Sequence, residues 1–133
     1  MTGERDLQVL IGSMQPVLHE DPYAYACLPI GKTPPAGIFA TVAEADGLKL
    51  IARASVLRAA GIDPGPPFAR ISLTVHSALE AVGLTAALAR ALADRGISAN
   101  VVAGFHHEHI FVGWDDREAA VAALLALSGS TGA

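Results

Sequence analysis

The chain has 133 residues, a formal net charge of −4 at pH 7, 52% hydrophobic residues and 17% charged ones. That composition excludes a disordered chain, and the acidic balance leaves no basic patch for nucleic acid. The length suits one ordinary domain, or two very small subdomains that share a core.

The opening residues, MTGERDLQVLIG, carry charge at Glu4, Arg5 and Asp6 and no long apolar run, so no secretory leader is expected. No segment approaches the roughly 20 apolar residues that a membrane helix needs. A cytoplasmic protein without membrane contact is the expectation. Leu7, Leu10, Ile11 and Met14 share one helical face, which predicts a helix over Asp6 to Met14 that Pro16 ends. Tyr23 to Leu28 reads as a short strand. It holds the single cysteine, Cys27, which cannot form an internal disulfide and so suits a reducing compartment. Its apolar neighbours predict a small buried hydrophobe. Pro29 to Gly37 carries three prolines and two glycines and reads as irregular surface.

Ile38 to Val42 and Leu48 to Ala52 flank Asp46-Gly47, a strong hairpin signal. Ser55 is placed as the cap of a short helix to about Ala60, closed by Gly61. Asp63 to Pro67, DPGPP, divides the chain into residues 1–63, an αβββα half, and residues 64–133, a βαββα half. Phe68 to Val75 has Ile71, Leu73 and Val75 on one face and Ser72 and Thr74 on the other, as in a half-buried strand. Leu84, Leu88, Ala91 and Leu92 form the stripe of the next helix, which Gly96 terminates. Ile97 to Ala103 and Glu108 to Gly113 are predicted strands joined by a tight turn. A last helix spans Arg117 to Leu127, ahead of a disordered tail over 128–133.

A ferredoxin-like unit is βαββαβ, and the C-terminal half supplies only βαββα. Its missing strand must come from the N-terminal half or from another subunit, because a bare sheet edge is a liability. The strand from Phe68 and the strand from Ile97 are expected side by side, with the Leu84–Arg95 helix on one face.

Gly83 ends the turn that begins at His76 and lets a ligand approach the backbone. The first amides of the following helix, near Leu84 and Thr85, have no intrahelical partners and offer a seat for a carboxylate. The competing explanation of this turn is a capping box formed by Ser77 and Glu80. His106, His107 and His109, with Glu108, invite a metal, but polar residues are ordinary in a hairpin turn and no matching second ligand set stands out. No metal site and no cofactor are expected. His76 and Ser77 are adjacent and point apart on a strand, a poor arrangement for nucleophilic catalysis. Base stacking on the sheet is unsupported too: neither Ile71 to Val75 nor Ser98 to Ala103 holds an aromatic residue.

The segments VHS-LEAVGLTA and GISANVVAGFHHEHIFV resemble small bacterial ACT-domain proteins, and the C-terminal half is similar to the ACT modules of aspartokinases and of the CASTOR amino-acid sensors. TVAEADGLKLI in the N-terminal half resembles the same family's acidic-Gly hairpin. The resemblance implies an α+β, ferredoxin-like fold of two ACT-like halves that exchange strands. It also implies a non-catalytic regulatory protein that binds a small molecule, an amino acid by preference, and forms a homodimer. The implied effector site comprises His76, Ser77, Val82, Gly83, Leu84 and Thr85, with Ser98, Asn100 and Val101 opposite and Asn100 facing the ligand. The alternatives are a structural or oligomerisation module without ligand, and a metal-binding protein or small enzyme built on the cluster from His106 to His109.

Overall fold

Asp6 starts the first helix by accepting hydrogen bonds from the amides of Gln8 and Val9 at 3.0 and 3.2 Å, which satisfies donors the helix itself cannot. Helix α1, Leu7–Ser13, follows, with Leu10 and Ile11 buried. The computed structural model describes residues 6–74, 82–105 and 107–131. The order is α1, β1 (Pro16–Leu18), β2 (Tyr23–Leu28), β3 (Ala40–Glu44), β4 (Gly47–Arg53), α2 (Ala54–Ala59) and β5 (Phe68–Leu73). Then come α3 (Leu84–Ala93), β6 (Asn100–Ala103), β7 (Glu108–Gly113), a 3-10 turn over Trp114–Asp116 and α4 (Arg117–Thr131).

Two compact units form: one from residues 1–19 with 69–133, the other from 20–68. The division at 63 follows the chain, whereas this grouping follows contacts, and it brings the start of the chain to its C-terminal half. In the larger unit the strands lie in the order β1-β5-β7-β6. Strand β1 pairs antiparallel with β5, Pro16 opposite Leu73 and Leu18 opposite Ile71. It thereby takes the place of the missing fourth strand of the βαββαβ unit. The prolyl start and the exposed Val17 hid this three-residue strand from pattern reading.

The expected adjacency of the Phe68 and Ile97 strands is corrected: β7 lies between β5 and β6. A helical crossover leaves room for a strand between the two it joins, and the β6–β7 hairpin folds back into that space. Strand β6 also begins only at Asn100, although Ile97 is buried. Helices α1, α3 and α4 contribute Leu10, Ile11, Met14, Leu84, Leu88, Leu92, Ala120, Ala123 and Leu124 to one core with Ala69, Ile71, Leu73, Ile110 and Val112. Helix α4 passes its expected end at Leu127 and runs to Thr131. The Ser128 hydroxyl donates at 3.3 and 3.4 Å to the carbonyls of Gly12 and Met14, which holds the helix end against the α1 segment. No helix among the described residues is long and apolar enough to cross a membrane.

The smaller unit pairs β4 with both β2 and β3, antiparallel, around a core of Ala24, Leu28, Leu50, Ala52 and Leu57. Two expectations fail here. Ser55 does not cap α2, whose first residue is Ala54 and whose N-cap is Arg53 without a side-chain bond; the Ala54 amide is satisfied instead by the carbonyl of Pro22 at 2.9 Å. Cys27 is exposed rather than buried, because it alternates with Ala26 and Leu28 and falls on the other face of β2. It sits opposite Lys49, whose ammonium lies 2.6 Å from Asp46 and 3.4 Å from Glu44.

Gly47 closes the β3–β4 hairpin with φ +148, and a Cβ there would stand 2.7 Å from the Leu28 carbonyl oxygen. Gly47→Ala is expected to lower the unfolding free energy by about 1–3 kcal/mol through backbone strain, read as a reduced urea midpoint at unchanged m-value.

Candidate functional site

The turn ahead of α3 is built around Gly83. Its φ of 97° lies in the left-handed region, and it serves as the N-cap of α3 without a side-chain bond to the helix amides. The first bond of the helix runs from the Ala87 amide to the Gly83 carbonyl at 2.9 Å, so the amides of Leu84, Thr85 and Ala86 precede the intrahelical ladder. A Cβ at Gly83 would meet the Leu7 side chain at 3.0 Å. Helix α1 therefore packs directly against this turn. Val82 is 83% exposed beside it, while Leu84 is buried in the core.

Thr85 connects the turn to the sheet. Its hydroxyl lies 3.5 Å from Oε1 of Glu108, the first residue of β7. The second carboxylate oxygen, Oε2, is buried and has no hydrogen-bond partner among the described residues. Burial pushes the Glu108 carboxyl above its ordinary range, and the Thr85 contact pulls it part of the way back.

The remaining expected residues lie elsewhere. Val101 packs on the core, whereas Ser98 and Asn100 are exposed. The Asn100 side chain donates to the Phe111 carbonyl at 3.3 Å, across its own hairpin. Asn100 pairs with Phe111 and Ala103 with Glu108, so Asn100 stands about 10 Å along the ladder from Glu108. His76 and Ser77 lie outside the described residues, as do Glu80 of the expected capping box and His106.

His107 is exposed and outside the strand, whereas His109 is half-buried on β7. No group of three or more His, Cys, Asp or Glu placed to hold a metal occurs among the described residues. His109 belongs to a different assembly. Its Nδ1 lies 2.8 Å from Ser72 Oγ and 3.4 Å from Arg70 Nη2, and Ser72 Oγ lies 2.8 Å from His19 Nε2. Arginine only donates, so His109 Nδ1 accepts. The Ser72 hydroxyl then has its proton for His109 and accepts from Nε2–H of His19. Burial first, and the Arg70 charge second, lower both imidazoles, His109 to about 4. This chain ties the end of β1 to β5 and β7. Pattern reading placed Ser72 on the outer face of β5 but had no signal that His19, distant in sequence, would meet it.

The lowered His109 imidazole makes the stability of the fold depend on pH. A folded-state pKa near 4 against an ordinary 6.5 means that the fold favours neutral His109. That contribution is present above pH 6.5 and is lost as the pH falls through 4. The raised Glu108 acts in the opposite sense. His109→Gln should therefore lose less Tm than the wild type between pH 7 and pH 4; parallel Tm–pH curves would remove His109 from the acid response.

Two family models, both of the ACT domain, match residues 2–69 and 69–126. Among solved structures, a Vibrio cholerae protein of unknown function, described as a possible transport protein, is similar at 39% identity and a TM-score of 0.77, covering 92% of this chain and 95% of that one. An Agrobacterium tumefaciens protein is similar at 19% identity and a TM-score of 0.69, covering 86% and 89%. The regulatory subunit of aspartate kinase from Thermus thermophilus, in its ligand-free form, is similar at 14% identity and a TM-score of 0.57, covering 84% and 95%; at that identity the likeness concerns the fold. No curated protein matches the chain.

Proposed function

The chain belongs to the ACT-domain family, and from that premise we propose that it is a non-catalytic regulatory protein whose effector is a free amino acid. The family supports a regulatory, ligand-binding protein in general terms. The observation that carries the finer reading is the start of α3. Gly83 opens a ten-residue helix with no side-chain cap, and the amides of Leu84 to Ala86 stand ahead of the first helical bond. A helix N-terminus offers roughly half a positive charge, which suits the carboxylate common to all amino acids. Val82, exposed next to it, gives an apolar side chain something to lie against.

The reading assigns ligand contact to Val82, Gly83, Leu84 and Thr85. It takes the protein to be a cytoplasmic homodimer. The single cysteine, Cys27, suits a reducing compartment. The exposed β6 edge and the exposed Leu125 on α4 are surfaces of the kind that a second copy covers.

A thermal-shift screen over the proteinogenic amino acids tests the reading. At least one should stabilise the folded protein, by about 2.7 kcal/mol at a hundredfold excess over Kd, and light scattering should give twice the chain mass. A screen with no hit would leave a structural or oligomerisation module, and a monomer at high micromolar concentration would remove the dimer.

A further inference from the structure

The face of the larger unit's sheet turned away from the helices carries a cluster that the effector reading does not use. His19 follows β1, Arg70 and Ser72 lie on β5, and His109 lies on β7. All four are half-buried. Ser72 Oγ stands 2.8 Å from His19 Nε2 and 2.8 Å from His109 Nδ1, and Arg70 Nη2 stands 3.4 Å from that same Nδ1. One hydroxyl thus has two imidazoles and a guanidinium gathered round it.

Three chemistries suit a cluster of this kind, and two of them meet an obstacle. A nucleophilic serine needs a base to take its proton, and an imidazole held at about 4 is too weak a base for that at neutral pH. A metal would have to ligate His109 Nδ1 with the Arg70 guanidinium beside it, cation against cation. An anion meets neither obstacle. Among the described residues the charges that act on His109 are Arg70, His107 and His19, and the charge that acts on His19 is Arg70. All are basic, in a chain whose net charge is −4. Partial burial strengthens such a focus of positive potential.

The proton decides what the cluster offers. In the neutral form Ser72 gives its hydrogen to His109 and accepts from His19, so these bonds close among themselves. A proton on His109 turns Nδ1 into a donor, which then faces the Arg70 donor across 3.4 Å with no lone pair between them. Ser72 Oγ, with two lone pairs, can then accept from both imidazoles and turn its own hydrogen outward. An oxyanion supplies the acceptors that this arrangement calls for.

We propose that His19, Arg70, Ser72 and His109 form a proton-gated seat for a small oxyanion, either a carboxylate or a tetrahedral sulfate or phosphate group. Binding takes up a proton on an imidazole, and the bound anion in turn holds that proton in place. The proposal does not rest on the amino-acid reading.

The test uses the full chain with sulfate as the tetrahedral probe and formate as the carboxylate, each compared with chloride at equal ionic strength. In calorimetric and thermal-shift titrations, one of the two should bind about tenfold more tightly at about pH 5 than at about pH 7.5, as the uptake of one proton requires. The anion with the larger response gives the class of ligand. The double variant His19→Gln/His109→Gln keeps hydrogen-bonding side chains without the charge, and it should lose this pH dependence. Anion binding at the start of α3 would survive that change. NMR titration of the wild-type imidazoles reads the same linkage without a variant: the anion at saturation should raise the midpoints of His19 and His109. Responses no larger than that of chloride, an affinity that does not change with pH, a double variant that keeps the pH dependence, or midpoints that the anion leaves unmoved would each overturn the proposal.

Discussion

The larger unit depends on β5 being paired on both sides. A central strand must satisfy two rows of backbone groups and place side chains on two faces, and β5 does both with short means. Ala69, Ile71 and Leu73 enter the core, while Arg70 and Ser72 alternate to the opposite face. On one side β7 adjoins it. On the other, the three residues Pro16 to Leu18 suffice, reinforced by the His19 amide bonding to the Arg70 carbonyl and the Thr74 amide to that of Gln15, at 2.9 and 3.1 Å. Without β1 the C-terminal half would expose an edge of β5, the strand that carries Ile71 and Leu73 into the core. The chain start is therefore an integral strand of that unit.

How much of this was legible in the sequence follows from the range of the forces involved. The Leu84, Leu88, Leu92 stripe and the Ala69, Ile71, Leu73 alternation are local periodicities that the core obeys, so α3 and β5 could be read directly. The Asp46-Gly47 hairpin is a local steric requirement and could be read too. Strand β1 could not, because three residues carry no period and its place is set by the open edge of β5. The same limit explains Cys27: apolar neighbours in sequence predicted burial, but alternation along β2 decides the face. Ser55 failed as a cap for a related reason, since the carbonyl of Pro22, distant along the chain, already satisfies the Ala54 amide that starts the helix.

The candidate site divides along the same line. Gly83 and the amides after it were visible as a glycine ahead of an apolar helical stripe. Glu108 was visible only as one acid in a histidine-rich turn, and no local pattern placed Thr85 beside it. The histidines, which drew attention as a cluster, disperse in the fold: His107 faces solvent, while His109 turns to Ser72 and His19. A run of similar residues in a hairpin is divided by alternation between faces, so sequence adjacency is weak evidence for a shared site. The Asn100 amide bonds a carbonyl of the neighbouring strand, a contact that no spacing rule in the sequence announces.

Regulation demands more than binding, because an effector shifts an equilibrium only through contacts that differ between two states. The start of α3 is placed to make such a difference felt. A Cβ at Gly83 would press on Leu7, so little slack separates the turn from α1, and Thr85 reaches the first residue of β7. A ligand seated at this turn would press on α1 and, through Thr85, on the start of β7. Helix α1 is in turn held to the end of α4 by Ser128, at the Gly12 carbonyl. The elements that a ligand at this turn would bias are thus α1, the start of β7 and, through α1, the end of α4, while the histidine–serine chain on the far face ties His19, after β1, to Ser72 on β5 and His109 on β7.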